Sequence, residues 1–262
     1  MRFASLGSGS EGNALVVEAT SGTTATRVLL DCGFSAKELE RRLARLACRI
    51  EQLDAIVVTH EHSDHIGSAL TVARKWNIPL YMSWGTARAV GADVAPGIDL
   101  HVLWGDETAA IGDLQVCPYT VPHDAREPLQ FVFGDGVHRL GVLTDVGTST
   151  PHITTMLHDC DALVLECNHD VQMLATSRYP ASLKARIGGN HGHLSNDAAA
   201  VILASLRRSR LKHIVAAHLS QQNNLPELAQ AALAHVLGAA VQDVMVASQD
   251  GGFAWLTLEG AP

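Results

Sequence analysis

The chain has 262 residues, 47% hydrophobic and 18% charged, with a formal net charge of −8. That balance fits a soluble globular protein with a substantial core, and it excludes a surface coated in positive charge, so any nucleic-acid surface must be local. Five widely spaced cysteines without a C-x-x-C pair, no apolar leader and no apolar run long enough to span a bilayer exclude a disulfide scaffold and a membrane protein and point to a cytoplasmic setting.

Residues 1–6, 13–18 and 27–31 read as strands. Ser35-Ala36-Lys37-Glu38 has the form of a capping box, opening a helix that runs to about Leu46. Residues 55–59 form a β-branched buried strand and 66–76 a helix. Strands follow at about 100–104, 113–121, 129–134 and 138–144, the last two joined by a turn at Asp135-Gly136. A strand at 162–165, a helix over 197–207 capped by Asn196, a strand at 212–217 and a helix at 225–237 come next. Strands at 241–247 and 252–258 close the chain. Strand-rich blocks with helices in both halves predict an α/β protein: two packed sheets, helices outside, one domain over residues 1–262.

The stretch from Gly7 to Gly12 matches G-x-G-x-x-G. A dinucleotide site needs strand, turn and helix in that order, so that helix amides meet the phosphates. Here the glycines lead into the strand-like Asn13-Ala14-Leu15-Val16-Val17, and a glycine-rich hairpin is the expectation.

The stretch Thr59 to Gly67 carries His60, His62, Asp64 and His65 directly after a buried strand. In an extended turn His60 and His62 share one side and can chelate one ion. Asp64 and His65, at the entry to the helix, can face a second position. Neutral imidazoles with a carboxylate suit Zn, Mn or Fe.

This H-x-H-x-D-H motif resembles that of the metallo-β-lactamase superfamily, whose fold is an αββα sandwich of two mixed β-sheets flanked by helices. Asp31 in LLDCG, His123 in TVPHDAREP, Asp145 in GVLTDVGT and His218 in VAAHLSQQNN resemble its other motifs, in order. The resemblance implies two divalent metal ions: His60, His62 and His123 on one, Asp64, His65 and His218 on the other, Asp145 bridging, and Asp31 orienting a ligand histidine from behind. No cysteine stands at a ligand position, unlike some lactamases, which favours nuclease-like branches. Two such ions activate a shared water and stabilise an in-line displacement.

LGSGSEGN, LECNHD with GHLSN, and HLSQQNN look like the YycJ/WalJ-like (VicX-like) branch, whose members are described as exonuclease-like, acting on DNA. Similar loops occur in ribonuclease Z and in a cyclic-phosphodiesterase branch. Ser10, Asn13, Ser195, Ser220 and Asn223 offer neutral donors to phosphate oxygens. His193, just before a capped helix, is read as the proton donor to the leaving oxygen, so Asp64 and His193 are the expected catalytic residues. His169 is read as a support behind the site. Three basic groups are candidates for substrate contact: Arg41, Arg42, Arg45 and Arg49; Arg207, Arg208, Arg210 and Lys212; and Arg178, Lys184 and Arg186. The expected function is a metal-dependent phosphodiesterase, a DNA exonuclease, with DNA ahead of RNA as partner and a homodimer as the base-rate assembly. The alternatives are a small-molecule cyclic phosphodiesterase, a ribonuclease Z-like RNA-processing enzyme, a thioesterase, and a metal-binding regulatory protein without catalysis.

Overall fold

The computed structural model describes residues 1–258. The first part gives β1 (Arg2–Gly7), β2 (Ala14–Ser21), β3 (Thr24–Leu30), α1 (Ala36–Arg45), β4 (Ala55–Val57), α2 (Ser63–Ile66), α3 (Ala69–Trp76), β5 (Leu80–Ser83), α4 (Trp84–Val90) and β6 (Leu100–Leu103). The second gives β7 (Ala109–Ile111), β8 (Leu114–Thr120), β9 (Leu129–Gly134), β10 (Arg139–Leu143), α5 (Pro151–Leu157), β11 (Ala162–Glu166), α6 (Val171–Thr176), α7 (Ala181–Ile187), α8 (Asn196–Ser205), β12 (His213–Ala217), α9 (Pro226–Leu237), β13 (Met245–Val246) and β14 (Phe253–Thr257).

Two seven-stranded sheets result, in the orders β14-β1-β2-β3-β4-β5-β6 and β13-β12-β11-β10-β9-β8-β7. In each, an antiparallel part continues into a parallel one, β3 to β6 in the first and β10 to β13 in the second. Both faces of each sheet are covered, which is why the strands read as near-continuous apolar runs. Along β3, Val28 and Leu30 enter the core between the sheets with Phe131 and Val142, while Leu29 enters the layer beneath α1 and α3 with Leu39 and Val72. Ile202 and Leu233 from α8 and α9 cover the outer face of the second sheet. This is the two-sheet sandwich with helices outside that the sequence predicts. The carboxyl ends of the parallel strands are where an α/β sheet presents its loops to a ligand.

The glycine stretch joins two antiparallel neighbours, β1 and β2, so it lies in strand–turn–strand context as expected. Several elements differ from expectation. The helix over 66–76 is two pieces, broken at Gly67 (φ 34), whose absent side chain lets the Cys32 carbonyl approach; a Cβ there would lie 2.4 Å from that oxygen. Ser195, not Asn196, caps α8: its Oγ accepts from the Ala198 amide at 3.1 Å, and Asn196 pairs with Asn224 instead. Ser35 caps α1, but the Glu38 carboxylate turns to Arg41 and Arg42, where a full charge is available, so the capping box is half made. Residues 241–243 form a 3₁₀ turn, leaving only β13 of the expected strand. The short β5, β7 and α4 to α7 were not foreseen in sequence. The end of the expected domain, residues 259–262, lies outside the described residues. No helix among the described residues is long and apolar enough to cross a membrane.

Candidate metal centre

Each ligand-type residue follows a strand. His60, His62, Asp64 and His65 lie on the turn after β4 and on α2, His123 follows β8, Asp145 follows β10 and His218 follows β12. The break at Gly67 keeps α2 to a single turn, so the motif is extended at His60 to His62 and helical only from Ser63. That is the geometry the sequence argument requires for two neighbouring positions.

Two trios come together, each offering ligand atoms within 4.8 Å of one another. In the first, His62 Nδ1 lies 3.0 Å from His60 Nε2 and 3.3 Å from His123 Nε2. In the second, Asp64 Oδ2 lies 3.4 Å from His65 Nε2 and 3.5 Å from His218 Nε2. Asp145 stands between them. Its Oδ2 is 2.8 Å from His65 Nε2, and its Oδ1 is 4.0 Å from His123 Nε2 and 3.5 Å from His218 Nδ1.

The surroundings select tautomers. Asp31 Oδ2 accepts from His65 Nδ1 at 2.7 Å and is itself fixed by the Thr59 amide, which donates to Oδ1 at 2.8 Å. His123 Nδ1 donates to the Gly192 carbonyl at 3.0 Å. In both rings Nδ1 is engaged, so Nε2 is the nitrogen turned toward the cluster.

The electrostatics are those of a site short of positive charge. Burial opposes charging His218, yet Asp145, Asp64 and Glu166 outweigh it and hold its pKa up to about 10. Burial likewise opposes a charge on His65, and Asp145 and Asp31 raise it. On His60, burial and the His65 charge outweigh Asp145 and push its pKa down. Asp145 is buried, and its Oδ2, although 2.8 Å from His65 Nε2, makes no hydrogen bond of good geometry. A divalent cation is the partner this donor set of imidazoles and carboxylates suits.

Beside the trios, His193 Nδ1 lies 2.8 Å from Glu166 Oε1, which also sits 3.3 Å from His218 Nδ1. Glu166 is fully buried, and its other oxygen accepts from the Val146 and Leu194 amides. Sequence reasoning gives Glu166 no role; an acid closing the apolar run of β11 is the signal that marks it. Burial opposes a charge on His193, and Glu166 with Asp145 outweighs it. A cavity of about 410 Å³ opens over the cluster, bordered by Ser10, Asp64, Asp145, Arg186 and His193 among others.

The other expected substrate contacts are placed differently. Asn13 is buried: its Oδ1 accepts from the Gly9 amide at 2.9 Å, and its Nδ2 lies 3.3 Å from the Asp64 carbonyl and 3.1 Å from His65 Nε2. Ser8 Oγ in turn accepts from the His218 amide at 2.9 Å. The glycine loop therefore braces the ligand loops, because its polar atoms are spent on them. Asn223 is fully buried, with its amide donating to Ser220 Oγ at 3.2 Å in a tight turn, and its Oδ1 has no hydrogen-bond partner. The Ser195 hydroxyl is engaged in capping. The His169 ring lines a separate cavity, and it touches none of the ligand residues through its Nδ1, which is buried without a partner.

Two of the basic groups serve the fold. Arg42 is buried, with Nη1 on the Leu6 and Gln249 carbonyls, and Arg41 pairs with Glu38. Arg207 and Arg210 pair with Asp159 and Asp161. In the third group, Arg186 borders the cavity over the cluster, 2.6 Å from Asp124.

A family model described as a beta-lactamase superfamily domain matches residues 26–218. Exodeoxyribonuclease YycJ of Bacillus anthracis is 36% identical over 239 residues, covering 90% of this chain and 89% of that protein. Exodeoxyribonuclease WalJ of Streptococcus pneumoniae is 34% identical over 243 residues, covering 91% and 89%. Among solved structures, the metallo-beta-lactamase fold protein YhfI of Bacillus subtilis superposes with a TM-score of 0.73 at 16% identity, covering 98% of this chain and 99% of that one. At that identity the likeness concerns the fold.

Proposed function

The chain belongs to the beta-lactamase superfamily, and from that premise we propose that it is a metal-dependent exodeoxyribonuclease holding two divalent ions, Zn, Mn or Fe. The observation that carries the reading is Asp145, a buried carboxylate that faces both trios of ligand atoms, His65 and His218 on one side and His123 on the other. The name carried by relatives 34% and 36% identical supports DNA as the substrate. In this reading His60, His62 and His123 hold one ion, Asp64, His65 and His218 the other, and Asp145 reaches both. When bound, such a pair activates water and neutralises a phosphodiester in an in-line displacement.

The chain's own side chains do the rest. Asp31 holds His65 in the tautomer that presents Nε2. Glu166 occupies Nδ1 of His193 and sustains its positive charge, so the other ring nitrogen can give a proton to the leaving oxygen. Ser10 and Arg186, at the cavity wall, supply donors to the non-bridging phosphate oxygens. The shared core between the two sheets supports one domain carrying the whole site. All five cysteines are free, as suits a reducing, cytoplasmic setting.

The test is a matched assay of purified protein with Mn²⁺ or Zn²⁺ on end-labelled double- and single-stranded DNA, RNA and bis(p-nitrophenyl) phosphate, beside Asp64→Ala. Progressive shortening of DNA from one end, lost in Asp64→Ala, is the expected result. Hydrolysis of the small diester alone would replace this reading with a small-molecule phosphodiesterase, and cleavage of RNA alone with a ribonuclease.

A further inference from the structure

A second cavity, of about 450 Å³, lies behind α7. That helix is a partition. Leu183, Arg186 and Ile187 border the cavity over the metal-site residues, whereas Lys184, Ala185 and Gly188 border the second one. No residue of α7 is buried, so it stands between two spaces instead of packing into a core. The walls behind it are mostly apolar, with Val171 and Leu174 on α6 and Ala198 on α8.

Three features tie this space to the chemistry. His193 borders both cavities, and so links the proposed proton donor to whatever fills the second one. His169, 4% exposed, lines the cavity and carries a buried Nδ1 with no hydrogen-bond partner. That nitrogen has no accessible surface, so the cavity meets the His169 ring and not its Nδ1. The Lys184 ammonium stands on the wall, 2.7 Å from the Ala175 carbonyl. Pockets for small organic ligands run from about 300 to 1,000 Å³, with apolar walls and a few placed polar groups.

On the basis of the nuclease reading, we propose that the cavity behind α7 seats the deoxynucleoside that carries the leaving oxygen, its base between the apolar walls and against the His169 ring. A space that accepts one nucleoside, bordered by α6 and α7, favours a chain end over the middle of a strand. Ser195, spent as the cap of α8, then helps to shape the wall instead of binding phosphate. A DNA end and a free mononucleotide share this chemistry.

The test fills the cavity from an exposed position. Ala185→Trp and His169→Phe are compared with the unaltered protein in three measurements: calorimetric binding of deoxythymidine monophosphate and of base-free deoxyribose 5-phosphate, KM for a single-stranded oligodeoxynucleotide, and kcat for bis(p-nitrophenyl) phosphate. The expected result is that the unaltered protein binds the mononucleotide about tenfold or more tightly than the base-free phosphate, as base stacking and packing dictate. Ala185→Trp should erase that preference and raise the oligonucleotide KM to a similar extent, with kcat on the small diester within about twofold. His169→Phe, which keeps a ring on the wall, should retain the preference. Equal binding of the two phosphates by the unaltered protein would overturn the proposal, as would an unchanged preference in Ala185→Trp. A raised oligonucleotide KM without any mononucleotide preference would assign the cavity to the strand backbone and equally overturn it. Failure of the unaltered protein to cleave any DNA would instead sink the nuclease reading, since the binding comparison needs no turnover.

Discussion

Asp31, Asp145 and His218 leave their strands in the left-handed backbone region, at φ of 60, 51 and 55. For residues other than glycine that conformation costs on the order of 1 kcal/mol or more and persists where the surroundings impose it. Here each sharp turn brings a side chain from a strand end into the cluster. Asp31 then acts through His65 and through Thr59, whose hydroxyl lies 3.0 Å from His60 Nδ1, and its removal is a test of positioning. Asp31→Ala should weaken metal binding by about 10- to 100-fold, measured by competition with a chromogenic chelator, while Asp31→Asn retains part of it. Asp145→Ala should reduce turnover by at least about a thousandfold with the far-UV spectrum unchanged, since no neighbour can replace an oxygen facing both trios. The ligand-type residues were legible because four of them crowd one motif and the others close strands. Glu166 and Asn13 were not, because their partners lie 27 and 51 residues away and only the fold brings them near. The burial of Asn223 was not legible either: a polar letter in a loop does not reveal that the loop is buried.

At the level of elements, the approach of the β3–α1 turn to the metal-motif turn is set by glycine. A Cβ on Gly33 would lie 1.9 Å from the Asp64 carbonyl and 2.7 Å from the Asn13 amide. Both are backbone atoms, so Gly33→Ala must displace the motif turn. It should cost about 2–4 kcal/mol in urea unfolding and lower metal stoichiometry in the same sample. The strands were legible from β-branched runs, and α5, α6 and α7 were not, because each has no more than 7 residues and too few buried positions to show a period. Glu18 on β2 shows how the exposed end of the first sheet is held. It faces Arg2 on β1 and Arg27 on β3 in direct register, and accepts from both at 2.5 Å. Burial opposes its charge, but the two guanidinium groups outweigh burial and lower its pKa. A lowered folded-state pKa means that the stabilisation is complete above the unfolded value of about 4.3 and disappears as pH falls through the lower folded one. Glu18→Gln should therefore cost about 1–3 kcal/mol near pH 7, and the gap to the unaltered protein should close in acid.

Across the whole molecule, the candidate ligands come from both sheets: the turn after β4 belongs to the first, and those after β8, β10 and β12 to the second. A cation held there joins the layers, and it binds the native state alone. Chelation should lower Tm by about 5–10 °C from a state with free metal at a hundredfold over Kd. Metal must also displace the protons that the carboxylates hold on His65 and His218, so apparent affinity should rise with pH and fall in acid, about tenfold per unit for each proton displaced. Calorimetry in buffers of different ionisation enthalpy counts those protons. The sandwich was legible from alternating blocks of strands and helices, whereas the order of strands was not, since β14 pairs with β1 from the far end of the chain. That lacing has an engineering consequence. Severing the turn between β6 and β7 yields two fragments, one lacking the strand that completes its sheet edge and the other lacking half of the ligand atoms. Reunion of such a pair should then depend on divalent ion, which mixing the two pieces with and without a chelator would check by activity on a small phosphodiester.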